Sequence, residues 1–238
     1  MIRNVRHLKY FRNMITREAP IPGLLTLISE WVPDLQPRHR VVPADIPAFV
    51  PAPLRAIYEL AGNYPVPFTE QWRRPNWIAG LFGNQDQLLP IDQLEVVGER
   101  FRFIHENQGV WHCDTLANES DPPVYSDSRA YEYGDNEFRE VCPTLSHFLT
   151  TYCLQELVFG SQHLFCVDSE VEAPGDLVVG SLCDVWVKGL YVYGEPTHSF
   201  YLCNDKLFVM ETGGYWLATN DETQLTLISE RHEIRRIH

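Results

Sequence analysis

Within one short stretch the sequence holds His105, Glu106, His112 and Asp114, residue types that ligate metal ions or shuttle protons. Whether they can act together depends on the backbone between them. Asn107-Gln108-Gly109 reads as a hairpin loop. That loop sets Glu106 opposite Val110, His105 opposite Trp111, Ile104 opposite His112, Phe103 opposite Cys113 and Arg102 opposite Asp114. Alternation then sends Phe101, Phe103, His105, Trp111 and Cys113 to one face, the expected core face, and Arg102, Ile104, Glu106, His112 and Asp114 to the other. In this register His105 parts from its three companions unless a bulge intervenes, and Arg102 competes for both carboxylates. The expectation is a cross-strand ion pair on a structural hairpin shaped by Glu106, Asn107 and Gly109, with no metal and no catalytic residue. A hydrolase using Glu106, His112 and Asp114 is the less favoured alternative.

The commoner chemical signatures are missing. There is no H-E-x-x-H, G-x-S-x-G, G-x-x-x-x-G-K-S/T or G-x-G-x-x-G, and no cofactor is expected. Cys113, Cys142, Cys153, Cys166, Cys183 and Cys203 form no C-x-x-C pair. Apolar neighbours mark most of them as reduced core thiols, which points to a cytoplasmic setting. No signal-like run opens the chain, and no stretch has the length and apolarity of a membrane span. The histidines of the tail, His232 and His238, stand too far apart for a standard ligand pair; the tail reads as a solvated end or a last edge strand.

Charge is more telling. The 238 residues carry a net charge of -13, yet residues 1 to 18 are +4, leaving -17 on the rest. Such a body repels phosphate backbones and disfavours direct nucleic acid binding. It favours a basic protein partner, because complementary potentials speed association. From Asp114 to Glu140 the acids Asp121, Asp127, Glu132, Asp135 and Glu137 interleave with Tyr125, Tyr131, Tyr133 and Phe138. Tyrosines anchor and carboxylates steer, so Asp121, Tyr125, Asp127, Tyr131, Glu132, Tyr133, Asp135 and Glu137 form the candidate partner-binding set. Asp168, Glu170, Glu172, Asp176 and Asp184 form a second acidic stretch.

Several elements must position these residues. Ile2, Val5, Leu8 and Phe11 are spaced for an amphipathic helix, which Pro20, Pro22 and Gly23 should end; Leu24 to Trp31 follows as a second. Leu54, Ile57, Tyr58 and Ala61 predict another helix, with Gly62 as a left-handed cap. After a loop rich in Trp and Pro (63 to 80), Leu88 to Val97 and Phe101 to Glu106 read as strands. Thr144 should cap a helix whose stripe is Leu145, Phe148, Leu149, Tyr152 and Leu157. Leu177 to Tyr193 should supply one or two strands, followed by His198 to Cys203, Lys206 to Glu211, Tyr215 to Thr219 and Gln224 to Ser229. Leu-Thr-Leu-Ile-Ser-Glu occurs at 25 to 30, read as helix, and at 225 to 230, read as strand. Helices and strands are segregated, which predicts an α+β fold: an antiparallel or mixed sheet flanked by helices, with additional C-terminal β-hairpins.

Val50-Pro51-Ala52-Pro53-Leu54-Arg55-Ala56-Ile57-Tyr58-Glu59-Leu60-Ala61-Gly62 resembles the proline–helix–glycine element of the SUKH superfamily. Leu88 to Leu94, Glu106-Asn107-Gln108-Gly109-Val110, Asp121-Pro122-Pro123-Val124-Tyr125 and Leu145 to Leu149 resemble its later motifs, in order. The superfamily groups fungal cell-wall regulators with bacterial immunity proteins. The resemblance implies a non-catalytic α+β core over 46–160, a helical extension at 1–45 and a β-rich extension at 161–238 packed on the same domain. It further implies neutralisation of a cognate toxin, such as a basic nuclease, or a regulatory scaffold role as in the fungal members.

Overall fold

The computed structural model describes residues 15–32, 35–63 and 83–237. The expected helix over residues 2–15 and most of the Trp- and Pro-rich loop lie outside them. The first described helix, α1, spans Pro20–Trp31 and so begins at the prolines expected to stop a helix. In a first turn the missing N–H of proline is no loss, because that donor has no intrahelical acceptor. α2, Ala52–Ala61, follows Pro51 as N-cap and buries Leu54, Ile57, Tyr58 and Ala61. Gly62 ends it at φ -64, not in the expected left-handed region. Close approach is what demands glycine there: a Cβ would lie 2.6 Å from Val41 Cγ2 and 2.7 Å from Tyr58 Cδ1.

Two antiparallel sheets follow. The first contains β1 (Asp86–Leu88), β2 (Val96–Val97), β3 (Arg100–Glu106), β4 (His112–Leu116), β5 (Val124–Ser126) and β6 (Arg139–Cys142), in the order β1-β3-β4-β5-β6 with β2 also on β3. The strand expected over Leu88 to Val97 is interrupted by a 3₁₀ turn at Ile91–Gln93, where Pro90 lacks the donor a ladder needs. A short helix, α3 (Ala130–Tyr133), joins β5 to β6, and α4 (Leu145–Phe159) follows. The second sheet contains β7 (His163–Val167), β8 (Leu182–Gly189), β9 (His198–Cys203), β10 (Leu207–Glu211), β11 (Tyr215–Thr219) and β12 (Ile234–Arg236), in the order β12-β7-β11-β10-β9-β8. The molecule is α+β.

α4 is the centre of the molecule. Thr144 Oγ1 caps it, accepting from His147 N at 3.4 Å. The predicted single stripe is too narrow: Thr150, Thr151, Cys153, Leu154, Gln155, Glu156 and Val158 are buried as well. Phe148 meets Phe103 of the first sheet edge-on at 5.8 Å, while Thr151 accepts from Trp186 Nε1 of the second at 3.0 Å. Ile15 through Ala218 thus contribute to one continuous apolar core, which draws on residues of both sheets. The far face of the second sheet is covered too. Leu207 and Val209 pack there with Leu177 and Val178, while Phe208 and Met210 face the main core, so β10 is apolar at consecutive positions.

Two expectations fail for local reasons. Gln224 to Ser229 is not a strand; Glu222–Leu227 is a 3₁₀ helix whose start is held by Asp221, accepting from Thr223 N at 3.1 Å. The second copy of the hexamer is therefore mostly a turn, while the first is helical as read. The β3–β4 register agrees with the expectation only at Arg102–Asp114. A bulge between Arg102 and Ile104 then pairs Ile104 with Cys113 and His105 with His112. With one extra residue on β3, Phe103 and Ile104 are both buried and His105 turns outward.

Candidate protein-binding surface

The bulge puts His105, His112 and Asp114 on one face, contrary to the separation predicted. The two imidazoles meet edge to face at 4.7 Å. Asp127 orients His112, its Oδ2 lying 3.0 Å from Nδ1 and its Oδ1 accepting from the backbone N of His112 at 2.6 Å. Arg102 Nε donates to Asp114 Oδ1 at 3.0 Å, the cross-strand pair expected. Burial, then the neighbouring His112 and Arg102, pushes the His105 pKa down. Burial likewise pushes the Asp114 carboxyl up against the pull of Arg102. Glu106 does not join them. Its Oε2 accepts from Gln108 N at 2.8 Å and Val110 N at 3.0 Å, closing the turn that Gly109 makes at φ +71. Among the described residues no three His, Cys, Asp or Glu side chains are grouped to hold a metal ion.

The acidic stretch divides into carboxylates that build the fold and carboxylates that face solvent. Asp121 accepts from Ser146 N at 2.7 Å and Ser146 Oγ at 2.6 Å, which fixes the first turn of α4. Asp127 is held by His112. Tyr125 is half-buried and lies under the Arg100 guanidinium at 3.6 Å, which leaves little of its ring outward. Asp135 grips Arg139 through both oxygens, at 2.6 and 3.0 Å, and this hydrogen bonding holds its pKa low. Tyr131 lies in α3. Glu132, Tyr133 and Glu137 remain outward: the side chains of Glu132 and Glu137 are 54% and 78% exposed and Tyr133 is 54% exposed. Arg129 pairs with Glu132 at 2.9 Å, and Arg139 stacks on Tyr133 at 4.2 Å.

A second segment completes this surface, and the linear reading missed it. The loop after β8 packs on β6, with the Cβ direction of Gly194 3.6 Å from Val141 Cα and 3.8 Å from Glu140 O. Ser128 Oγ donates to Val192 O, tying the loop to the start of α3. Glu195 acts electrostatically on Arg129. Tyr193, 47% exposed, and the exposed Glu195 thereby join Tyr133, Glu132, Glu137 and Glu140. The usable signal was Tyr193-Gly194-Glu195, a turn whose tyrosine has no strand to pack into. Two exposed tyrosines among four carboxylates, of which Glu132 and Glu137 lie beside Arg129 and Arg139, form a surface of net negative charge able to anchor and steer a cationic macromolecule. No helix among the described residues is long and apolar enough to cross a membrane. No family model, no curated protein and no solved structure matches the chain.

Proposed function

We propose that this chain is a non-catalytic protein-binding module that engages a basic protein partner. The packing of the loop that carries exposed Tyr193 and Glu195 onto β6 and the start of α3, where Glu132, Tyr133, Glu137 and Glu140 are exposed, carries the reading, because two distant segments then supply one anchor-and-steer surface. Outside the basic first 18 residues the chain carries -17, which supports the same partner chemistry. With the SUKH-like motifs, this favours an immunity protein that neutralises a cognate toxin, such as a nuclease, by covering its cationic substrate site.

The test begins with capture of partners from the source organism, followed by stopped-flow association with the purified partner at several salt concentrations. A variant with lysine at 132, 137, 140 and 195 should associate at least about tenfold more slowly at low salt, with the gap closing as salt rises. Tyr133→Ala with Tyr193→Ala should instead speed dissociation. A quadruple variant that associates at the wild-type rate at every salt concentration overturns the surface.

A further inference from the structure

Behind the loop that carries Tyr193, the core holds two carboxyl groups, Asp86 and Glu156, 2% and 0% exposed. Glu156 Oε2 accepts from Gly83 N at 3.1 Å and Asn84 N at 2.6 Å, Oε1 accepts from Asp86 N at 3.0 Å, and Gln85 N lies 3.2 Å from both oxygens. Successive backbone N–H groups converging in this way form an anion nest, here filled by the protein's own carboxylate. Asp86 is served unequally. Its Oδ2 accepts from the Tyr191 hydroxyl at 2.5 Å and Gln155 Nε2 at 3.0 Å, but its Oδ1 is buried with no hydrogen-bond partner among the described residues.

Among the described residues, the groups around the pair bring no positive charge. Tyr152 and Cys153 face it from α4, Cys113 from β4 and Tyr191 from the loop after β8, and burial pushes all four pKa values up, so they stay neutral. Glu106, at the end of β3, adds a like charge. His198 of β9 reaches the cluster through Gln155, at 3.0 Å, and burial pushes its pKa down to about 4, so it too is neutral near pH 7. Two buried anions side by side without a cation do not both stay ionised.

We propose that Asp86 and Glu156 hold one proton between them in the native state at neutral pH, carried by Asp86, and that this proton locks the 83–86 turn and the 191–195 loop against α4. Glu156 keeps the charge because its oxygens are occupied by N–H donors. An ionised Asp86 would bury an unpaired oxygen lone pair beside that charge, which is the costlier arrangement. Burial pushes both carboxyls upward; the Glu106 charge adds to the push on Asp86, and Asp86 adds to the push on Glu156. Loss of the proton as pH rises sets the two buried carboxylates against each other, and this repulsion works against the packing of the 83–86 turn and of the loop in which Tyr191 stands two residues before Tyr193. The proton site stands without any partner; only its effect on Tyr193 and Glu195 rests on the protein-binding reading.

The experiment is a carboxyl ¹³C NMR titration of the full chain from about pH 4 to about pH 9, with amide exchange followed at residues 83–86 and 190–195. One carboxyl should titrate above about pH 7, about three units or more above the ordinary aspartate value, and exchange in both segments should quicken as it ionises. Asp86→Asn should abolish that titration and leave the exchange flat with pH. Glu156→Gln, which turns an N–H donor toward N–H donors, should speed exchange at 83–86 at least about tenfold. Titrations that all fall below about pH 7 in the wild-type protein would overturn the proposal, as would a high titration that survives in Asp86→Asn. The wild-type titration decides even if a variant fails to fold, and it needs no partner, so the protein-binding reading succeeds or fails separately.

Discussion

Asp121→Ala should destabilise the protein without being an interface mutation. Asp121 receives both the backbone N–H and the hydroxyl of Ser146 at the N-terminal turn of α4. Hydrogen bonds to a charged group contribute about 1.5–3 kcal/mol, and a carboxylate at a helix N-terminus about 0.3–1 kcal/mol more. Asp121 is partly exposed and water can replace part of what is lost, so the expected cost is about 2 kcal/mol. In a chain of this length that lowers Tm by about 4–8 °C. Urea unfolding should show the loss as a shifted midpoint at constant m, because the surface exposed on unfolding does not change. A double-mutant cycle with Ser146→Ala should return a coupling of about 0.5–1 kcal/mol for the hydroxyl bond. Stability within about 0.3 kcal/mol of wild type, combined with a large loss of partner affinity, would refute the assignment and return Asp121 to the interface.

Gly109→Ala should cost about 1–2 kcal/mol in the same unfolding assay, since its φ of +71 is open to alanine only with strain, while nothing within 4 Å would clash with the new methyl. His198 gives a pH dependence whose sign is fixed. Its folded pKa of about 4 lies below the ordinary 6.5, so its stabilisation is full above 6.5 and is lost as pH falls toward 4. Midpoints of urea unfolding measured across that window should fall more steeply for wild type than for His198→Gln, and parallel slopes would argue against a neutral buried imidazole.

The sequence was most legible where local chemistry and tertiary demand agree. Thr144 before Leu145 announces its helix because the cap and the first apolar residue stand side by side, and α2 is set by Pro51 and its apolar spacing. Asn204-Asp205 and Gly213 mark hairpin turns because positive φ is acceptable there, at 49, 60 and 67. Reading failed where a single residue changes the answer. The bulge at Phe103 and Ile104 arises because both side chains find the core, a choice that alternation alone cannot weigh against ladder continuity. The candidate site was half visible. Glu132, Tyr133 and Glu137 were in the expected set, but the inward turn of Asp121 and Asp127 depends on Ser146 and His112, and the arrival of Tyr193 and Glu195 depends on how β8 returns to β6.

A helix enclosed on every side has no water-facing surface to fall back on. Removing residues 161–237 would strip α4 of Trp186, Phe208 and Trp216 at once, leaving aromatic-sized gaps and a Thr151 hydroxyl without its Trp186 donor. The two halves of the polypeptide should therefore unfold in one transition, and two separate calorimetric transitions would show otherwise. Tags, fusions and inserted epitopes belong at the rim, for instance at the Gly213-Gly214 tip, where added chain meets only solvent.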